Sequence, residues 1–364
     1  MNFEMKELPR QHSDRVRDRR IERVVELVSP AEILEDLPLG PGREDAVLAH
    51  RGDVKAVLDR DDDRLLVVVG PCSVHDPEAA IDYAQRLAAR AKELGDELCI
   101  AMRVYFEKPR TTTGWKGLIN DPHLDGSRDV NVGLHTARRL LLEVTDLGLA
   151  IGCEFLDPIT PQYISDAVTW AAIGARTAES QIHRNLASGL SMPVGFKNGT
   201  AGNVGIAVDA VRAAASAHAF TGVTLDGTPA ILHTRGNEDA HVILRGGRQA
   251  PNYDAVSIEG ALGAMRAAGL PERVVVDASH DNSGKDPDRQ PAVVADLAGQ
   301  VAAGNDAIVG VMLESFIAAG RQELVPGKPL EYGQSITDGC MGWETTTLVL
   351  DQLAGAVRAR RSRR

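Results

Sequence analysis

Four residues of metal-ligand type stand far apart in the chain: Cys72, His280, Glu314 and Asp338. One thiol, one imidazole and two carboxylates make a mixed sulfur, nitrogen and oxygen donor set. Such a set suits zinc, iron, manganese or cobalt rather than magnesium or calcium. Several oxygen donors can leave one coordination position open for a substrate carbonyl. Taken singly, the residues say less. Cys72 alone reads as a small buried hydrophobe, and His280 alone as a loop cap. His75 and Asp76 follow Cys72 closely, but Asp76-Pro77 reads as the start of a helix that Asp76 caps.

A second set is cationic: Arg103, Lys108, Arg110, Arg176, Lys197 and Arg245. Gathered at one mouth, these charges repel one another unless anions meet them, which implies carboxylate and phosphate ligands and more than one phosphate. The glycine-rich pieces FKNGTAGN and LRGGR offer backbone N–H groups to phosphate. Glu154, in GCEFLDP, adds a carboxylate.

These residues form one site only if the fold gathers them. Short apolar runs recur along the chain: LLVVVG (65–70), LCIAMRVY (98–105), LAIGCEF (149–155), AAIGA (171–175), PVGFK (193–197), HVILRG (241–246), RVVVDAS (273–279) and AIVGVML (307–313). Between most of them lie segments with helical spacing, such as PEAAIDYAQRLAARAKEL. Continuous apolar strands alternating with helices predict a parallel sheet, and eight such units predict a closed α/β barrel of the (β/α)8, TIM type. The active site of that architecture lies at the C-terminal ends of the strands. Cys72, Arg103, Glu154, Arg176, Lys197, Arg245, His280 and Glu314 each fall at or just past the end of a run, and Asp338 lies in the loop after the last. The absence of GxGxxG after the first run argues against a doubly wound sheet.

Two insertions interrupt the repeat. One runs from Phe106 to about Val132. The other, FTGVTLDGTPAILHTRG (220–236), carries Asp226-Gly227 between apolar runs and predicts a β-hairpin before the sixth barrel strand. The first 45 or so residues read as a charged arm with one short helix, followed by a second helix near Glu44–Arg60. In the arm Ile21, Val24, Val25 and Val28 favour docking, for example on a partner subunit. The expected division is an arm over 1–45, with regulatory or oligomer contacts, and a barrel over 46–364 with a hairpin at about 219–236.

Aromatic residues are only 4% of the chain, so the core must be aliphatic. A net charge of −11 argues against a general nucleic-acid binder. The four cysteines show no CxxC and no leader is evident, which suits a cytoplasmic setting. No apolar run is long enough to span a membrane. The basic end RARRSRR reads as the solvated terminus of a helix whose cations suit the helix dipole.

Several long motifs carry a likeness to a known family. GPCSVHDP, MRVYFEKPRTTTGWKGLINDP, GARTAESQIHRNLASGLSMPVGFKNGT, ILRGG, DASHDNSGK, GVMLES and YGQSITDGCMGWE resemble the type I 3-deoxy-D-arabino-heptulosonate 7-phosphate (DAHP) synthases, more narrowly the amino-acid-regulated Iα group, from about Arg20 to the C-terminus. The resemblance implies a (β/α)8 barrel that condenses phosphoenolpyruvate with D-erythrose 4-phosphate at the head of the shikimate pathway, with one divalent metal ion, manganese favoured. It implies that Cys72, His280, Glu314 and Asp338 hold the metal. Arg176, Lys197 and Arg245 would take the phosphoenolpyruvate phosphate, with Arg103, Lys108 and Lys197 near its carboxylate. Lys108, Pro109, Arg110 and Thr111 would receive erythrose 4-phosphate, Glu154 would position a water, and Lys108 would protonate the new alkoxide.

The resemblance also implies a homodimer or homotetramer and an aromatic amino acid effector, bound near positions matching Asp18, Ser191, Phe220 and Gly222. Glycine at 222 matches the tyrosine-controlled members, so tyrosine is the expected effector. A same-fold synthase using a different aldose phosphate acceptor in a secondary pathway is the alternative reading. Finally, Cys340 lies close in sequence to Asp338, so a Cys72–Cys340 disulfide is expected when the metal is absent.

Overall fold

The computed structural model describes Glu7 and residues 16–110, 112–325 and 327–363. Among the described residues ten strands form: β1 (Leu65–Gly70), β2 (Leu98–Arg103), β3 (Ala150–Glu154), β4 (Trp170–Ile173), β5 (Val194–Lys197), β6 (Ala219–Val223), β7 (Pro229–His233), β8 (His241–Leu244), β9 (Val274–Asp277) and β10 (Ile308–Glu314). Eight close into a parallel barrel in the order β1-β10-β9-β8-β5-β4-β3-β2. Each is one of the eight apolar runs, and each is buried along its whole length. Burial on both faces is why these strands read as continuous apolar runs without alternation.

The remaining strands pair antiparallel as the expected hairpin, with Gly222 opposite Ala230. Gly227 turns it at φ +76°, a conformation that costs glycine least.

Inside the barrel, Leu66, Val68, Ala101, Trp170, Ile243, Val275 and Met312 form one cluster, and Val54, Val57 and Leu58 of the helix Pro41–Asp59 belong to it. That helix starts at Pro41, three residues before the predicted Glu44, because Gly40 and Pro41 open it. In the same cluster Trp170 Nε1 donates to His241 Nε2 (3.1 Å), while His241 Nδ1 lies 3.0 Å from the Asp239 carbonyl. Burial holds the His241 pKa down at about 3, so the ring is neutral.

The short helix of the arm is Pro30–Asp36, started by a capping box between Ser29 and Glu32. The arm docks on its own barrel. Val28 N donates to Asn131 Oδ1 (3.0 Å), Tyr163 Oη donates to the Val28 carbonyl (2.7 Å), and Ala31 N donates to Leu225 O of the hairpin (2.8 Å). Ile21 and Val24 remain largely exposed. The C-terminal cations are less solvated than expected. Arg360 is buried and donates to the Asp63 carbonyl, Arg361 pairs with Asp63, and Arg358 pairs with Glu97 at 3.1 Å. These pairs staple the helix Trp343–Arg361 to the barrel floor. No helix among the described residues is long and apolar enough to cross a membrane.

Candidate active site

The C-terminal ends of the strands surround a cavity of about 550 Å³, lined among others by Lys108, Arg110, Glu154, Arg176, Lys197, Arg245, His280 and Asp338. Beneath it the donor set closes up. Ligand atoms of Cys72, Glu314 and Asp338 all lie within 4.8 Å of one another. The Cys72 Sγ to Asp338 Oδ2 distance is 3.7 Å. His280 stands at the rim of this trio, with Nε2 3.7 Å from Glu314 Oε1. His75 is no part of it; the ring packs edge-on against Phe316. Asp76 caps the helix Pro77–Glu93 as expected, accepting from Glu78 N and Ala79 N.

Two carboxylates this close to each other and to a thiol repel one another and hold the thiol protonated unless positive charge intervenes. Two cations already supply some of it. Lys108 Nζ sits 2.8 Å from Cys72 Sγ, and Arg103 reaches Glu314 Oε1 at 3.0 Å. Burial works against the Lys108 ammonium, but Cys72, Glu314 and Asp338 outweigh it and raise its pKa, so Lys108 stays protonated. Burial and Glu314 push the Cys72 thiol up to about 11 despite Lys108. Sulfur, imidazole and carboxylate donors converging in a charged pocket fit a divalent transition metal.

Arg103 departs from expectation. It is fully buried, lies under the cavity rather than lining it, and stacks on the Tyr105 ring at 3.8 Å. Nε donates to the Pro71 carbonyl, Nη1 to Met312 Sδ, and the Nη2 that reaches Glu314 also donates to the Cys72 carbonyl.

Asp277, at the end of β9, was not singled out by sequence because it sits inside the run RVVVDAS. It is fully buried and lies 3.1 Å from Lys197 Nζ and 2.7 Å from His280 Nδ1. Burial alone would raise its pKa, but His280 and Lys197 hold it well below the usual carboxylate range. A carboxylate at Nδ1 leaves Nε2 of His280 free to ligate.

Glu154 is buried and lines the cavity. Gly174 makes room for it, since a Cβ there would lie 2.6 Å from Glu154 Oε1. The loop that carries Lys108, Pro109 and Arg110 is pinned by Lys108 N donating to Lys116 O (2.8 Å). It closes at Gly117, φ +120°, where a Cβ would lie 1.9 Å from the Phe106 carbonyl. Pro109 lines the cavity, and its carbonyl accepts from Arg176 at 3.4 Å. Thr111 lies outside the described residues. Arg248 and Lys285, which sequence reading did not assign, also line the cavity, as does Asp281 beside His280 past the seventh run.

Of the expected effector positions, the structure brings two together. Ser191 and Phe220 line a second cavity of about 500 Å³ with Leu186, Leu232 and Thr234. Asp18 does not line it; it is exposed at φ +54° beside Arg17. The space over Gly222 is taken by Leu232, whose Cδ1 would lie 2.6 Å from a Cβ.

The chain matches the DAHP synthetase I family over residues 45–351. It is 54% identical over 344 residues to the Phe-sensitive phospho-2-dehydro-3-deoxyheptonate aldolase of Escherichia coli (strain K12), covering 94% of this chain and 98% of that one. It is 50% identical over 340 residues to the tyrosine-inhibited enzyme of Schizosaccharomyces pombe, covering 92% and 91%. Among solved structures, the phospho-2-dehydro-3-deoxyheptonate aldolase of Francisella tularensis SCHU S4 superposes with a TM-score of 0.92 at 47% identity, covering 93% of this chain and 99% of that one.

Proposed function

The chain belongs to the DAHP synthetase I family, and on that premise we propose how its residues perform the family's reaction. Phosphoenolpyruvate, D-erythrose 4-phosphate and water become DAHP and inorganic phosphate, the first step of the shikimate pathway. The observation that carries this reading is one cavity in which a cationic wall meets a thiol, imidazole and carboxylate cluster.

Cys72, His280, Glu314 and Asp338 would hold one divalent ion, manganese favoured, with Asp277 orienting His280. When bound there, the ion would supply Lewis acidity to a carbonyl oxygen. Arg176, Lys197 and Arg245 bind the phosphoenolpyruvate phosphate, while Lys108, with Arg103 beneath, draws in its carboxylate. Arg110 and Thr111 receive the aldose phosphate, with Lys108 and Pro109 beside it. Holding two mutually repelling anions at bonding distance is the main contribution of these cations. As the enol carbon bonds to the aldehyde carbon, Lys108 gives a proton to the new alkoxide. Glu154 orients the water that adds to C2, and loss of inorganic phosphate by C–O cleavage yields the ketone. The buried, charged state of Lys108 supports its role as donor.

An aromatic amino acid, tyrosine favoured, inhibits by binding near Ser191 and Phe220. Strong inhibition by phenylalanine or tryptophan with none by tyrosine contradicts that choice. The assembly is a homodimer or homotetramer, the setting is cytoplasmic, and neither nucleic acid nor membrane is a partner. Product identification by mass spectrometry, with erythrose 4-phosphate and longer aldose phosphates supplied in competition, tests the reaction. Preference for a longer acceptor overturns the erythrose 4-phosphate assignment.

A further inference from the structure

The two buried cations assigned to the phosphoenolpyruvate phosphate are neutralised in different ways. Lys197 meets Asp277, which is fully buried and does not line the cavity, so its counter-ion lies behind it. Arg245 meets Asp281, and Asp281 lines the cavity itself. The Arg245 residue is 5% exposed, and its Nε is buried with no hydrogen-bond partner. The backbone fixes the pair, since Asp281 N donates to the Arg245 carbonyl at 3.0 Å. Arg245 N is held in turn by Asn198 Oδ1 at 2.8 Å. The guanidinium is thus anchored, partly unpartnered, and capped by a carboxylate on the side that an incoming phosphate must approach.

We propose that Asp281 is a residue that sets affinity for the phosphate group: an internal competitor that occupies Arg245 in the substrate-free enzyme and gives it up to phosphate. The inference rests on the reading that Arg245 receives the phosphoenolpyruvate phosphate. A ligand that must displace an internal partner binds more weakly in proportion to how fully that partner is engaged. The same competition hastens release, because Asp281 reclaims Arg245 when inorganic phosphate departs. Asp281 therefore weakens phosphoenolpyruvate and product phosphate together. It leaves the aldose phosphate, assigned to Arg110 and Thr111, nearly untouched.

The test uses the manganese-loaded enzyme with Asp281→Asn and, as a second variant, Asp281→Ala. Steady-state kinetics give KM for each substrate, and calorimetry gives the Kd of inorganic phosphate. The expected result is a fall of about tenfold in both the KM for phosphoenolpyruvate and the phosphate Kd. The KM for erythrose 4-phosphate should move less than about twofold. A rise or no change in the phosphate Kd for both variants overturns the proposal and makes Asp281 a positioning residue for Arg245. Arg245→Ala is the separate control. If it leaves phosphoenolpyruvate binding unchanged, the reading beneath the proposal falls instead. In the Arg245→Ala background the Asp281→Asn effect should shrink to within about twofold, and an effect kept in full contradicts a route through Arg245.

Discussion

Replacing Asp277 by asparagine tests the least visible part of the site. The carboxylate is fully buried and serves two groups, the Lys197 ammonium at 3.1 Å and His280 Nδ1 at 2.7 Å. It also accepts from Ser279 N at 2.9 Å and from Ser279 Oγ at 2.5 Å. Asparagine keeps the shape and removes the charge. Lys197, itself 3% exposed, is then left in the interior without its anion. Removing one partner of a buried pair costs about 3–5 kcal/mol of stability. For a chain of this size that corresponds to a fall in Tm of roughly 4–7 °C. The second consequence is at the metal. Loss of a carboxylate that orients a ligating imidazole weakens metal binding by about 10–100-fold. Differential scanning calorimetry of the metal-free protein reads the first effect, and manganese titration followed by electron paramagnetic resonance reads the second. An unchanged Tm together with unchanged manganese affinity refutes the assignment of Asp277 as counter-ion to Lys197 and orienting partner of His280.

Other consequences follow from single contacts. Gly174→Ala places a methyl 2.6 Å from Glu154 Oε1, and displacing that carboxylate by about 1 Å should lower kcat roughly 100-fold with little change in Tm; normal turnover would remove Glu154 from the chemistry. Cys72 N donates to Cys340 Sγ at 3.4 Å, so metal-free enzyme exposed to dissolved oxygen should lose the activity that added manganese recovers, as the two thiols form a disulfide, and thiol reductant followed by manganese should restore it. Cys340→Ser should resist that loss, and decay as fast as wild type sinks the idea. His241 is neutral when folded, with its pKa depressed from 6.5 to about 3. Its contribution to stability is therefore complete above pH 6.5 and is lost as pH falls toward 3, because only the unfolded chain takes up that proton. Between pH 6.5 and about 4.5, His241→Gln should lose roughly 2 kcal/mol less than wild type in urea titrations; parallel stability curves for the two proteins rule this out.

The barrel was legible because parallel strands buried on both faces leave continuous apolar runs, and LLVVVG, HVILRG and AIVGVML differ from their strands by a few residues at most. The hairpin was legible because Asp226-Gly227 needs the left-handed turn that the structure has at Gly227. Residues past strand ends were legible by position, which is how Cys72, His280 and Glu314 emerged. Asp277 was harder to read. A lone aspartate within a valine run looks like a strand terminus, and only the fold shows that Lys197 lies against it. The depth of Arg103 was equally hidden, since sequence gives the order of residues along a strand and not which layer of a barrel each side chain fills. At Gly222, read in sequence only as matching the tyrosine-controlled members, Leu232 from the facing strand fills the space over the backbone. Cross-strand neighbours of that kind depend on register, which the hairpin turn sets only after the chain folds.

Phosphate release with phosphoenolpyruvate and erythrose 4-phosphate together, measured before chelation, after EDTA and after manganese is restored, bears most directly on the central claim that this cavity is a metal-dependent condensing site. The account predicts release only when both substrates are present, loss on chelation and recovery with manganese. Release from phosphoenolpyruvate alone, or turnover that survives complete removal of the metal, contradicts it.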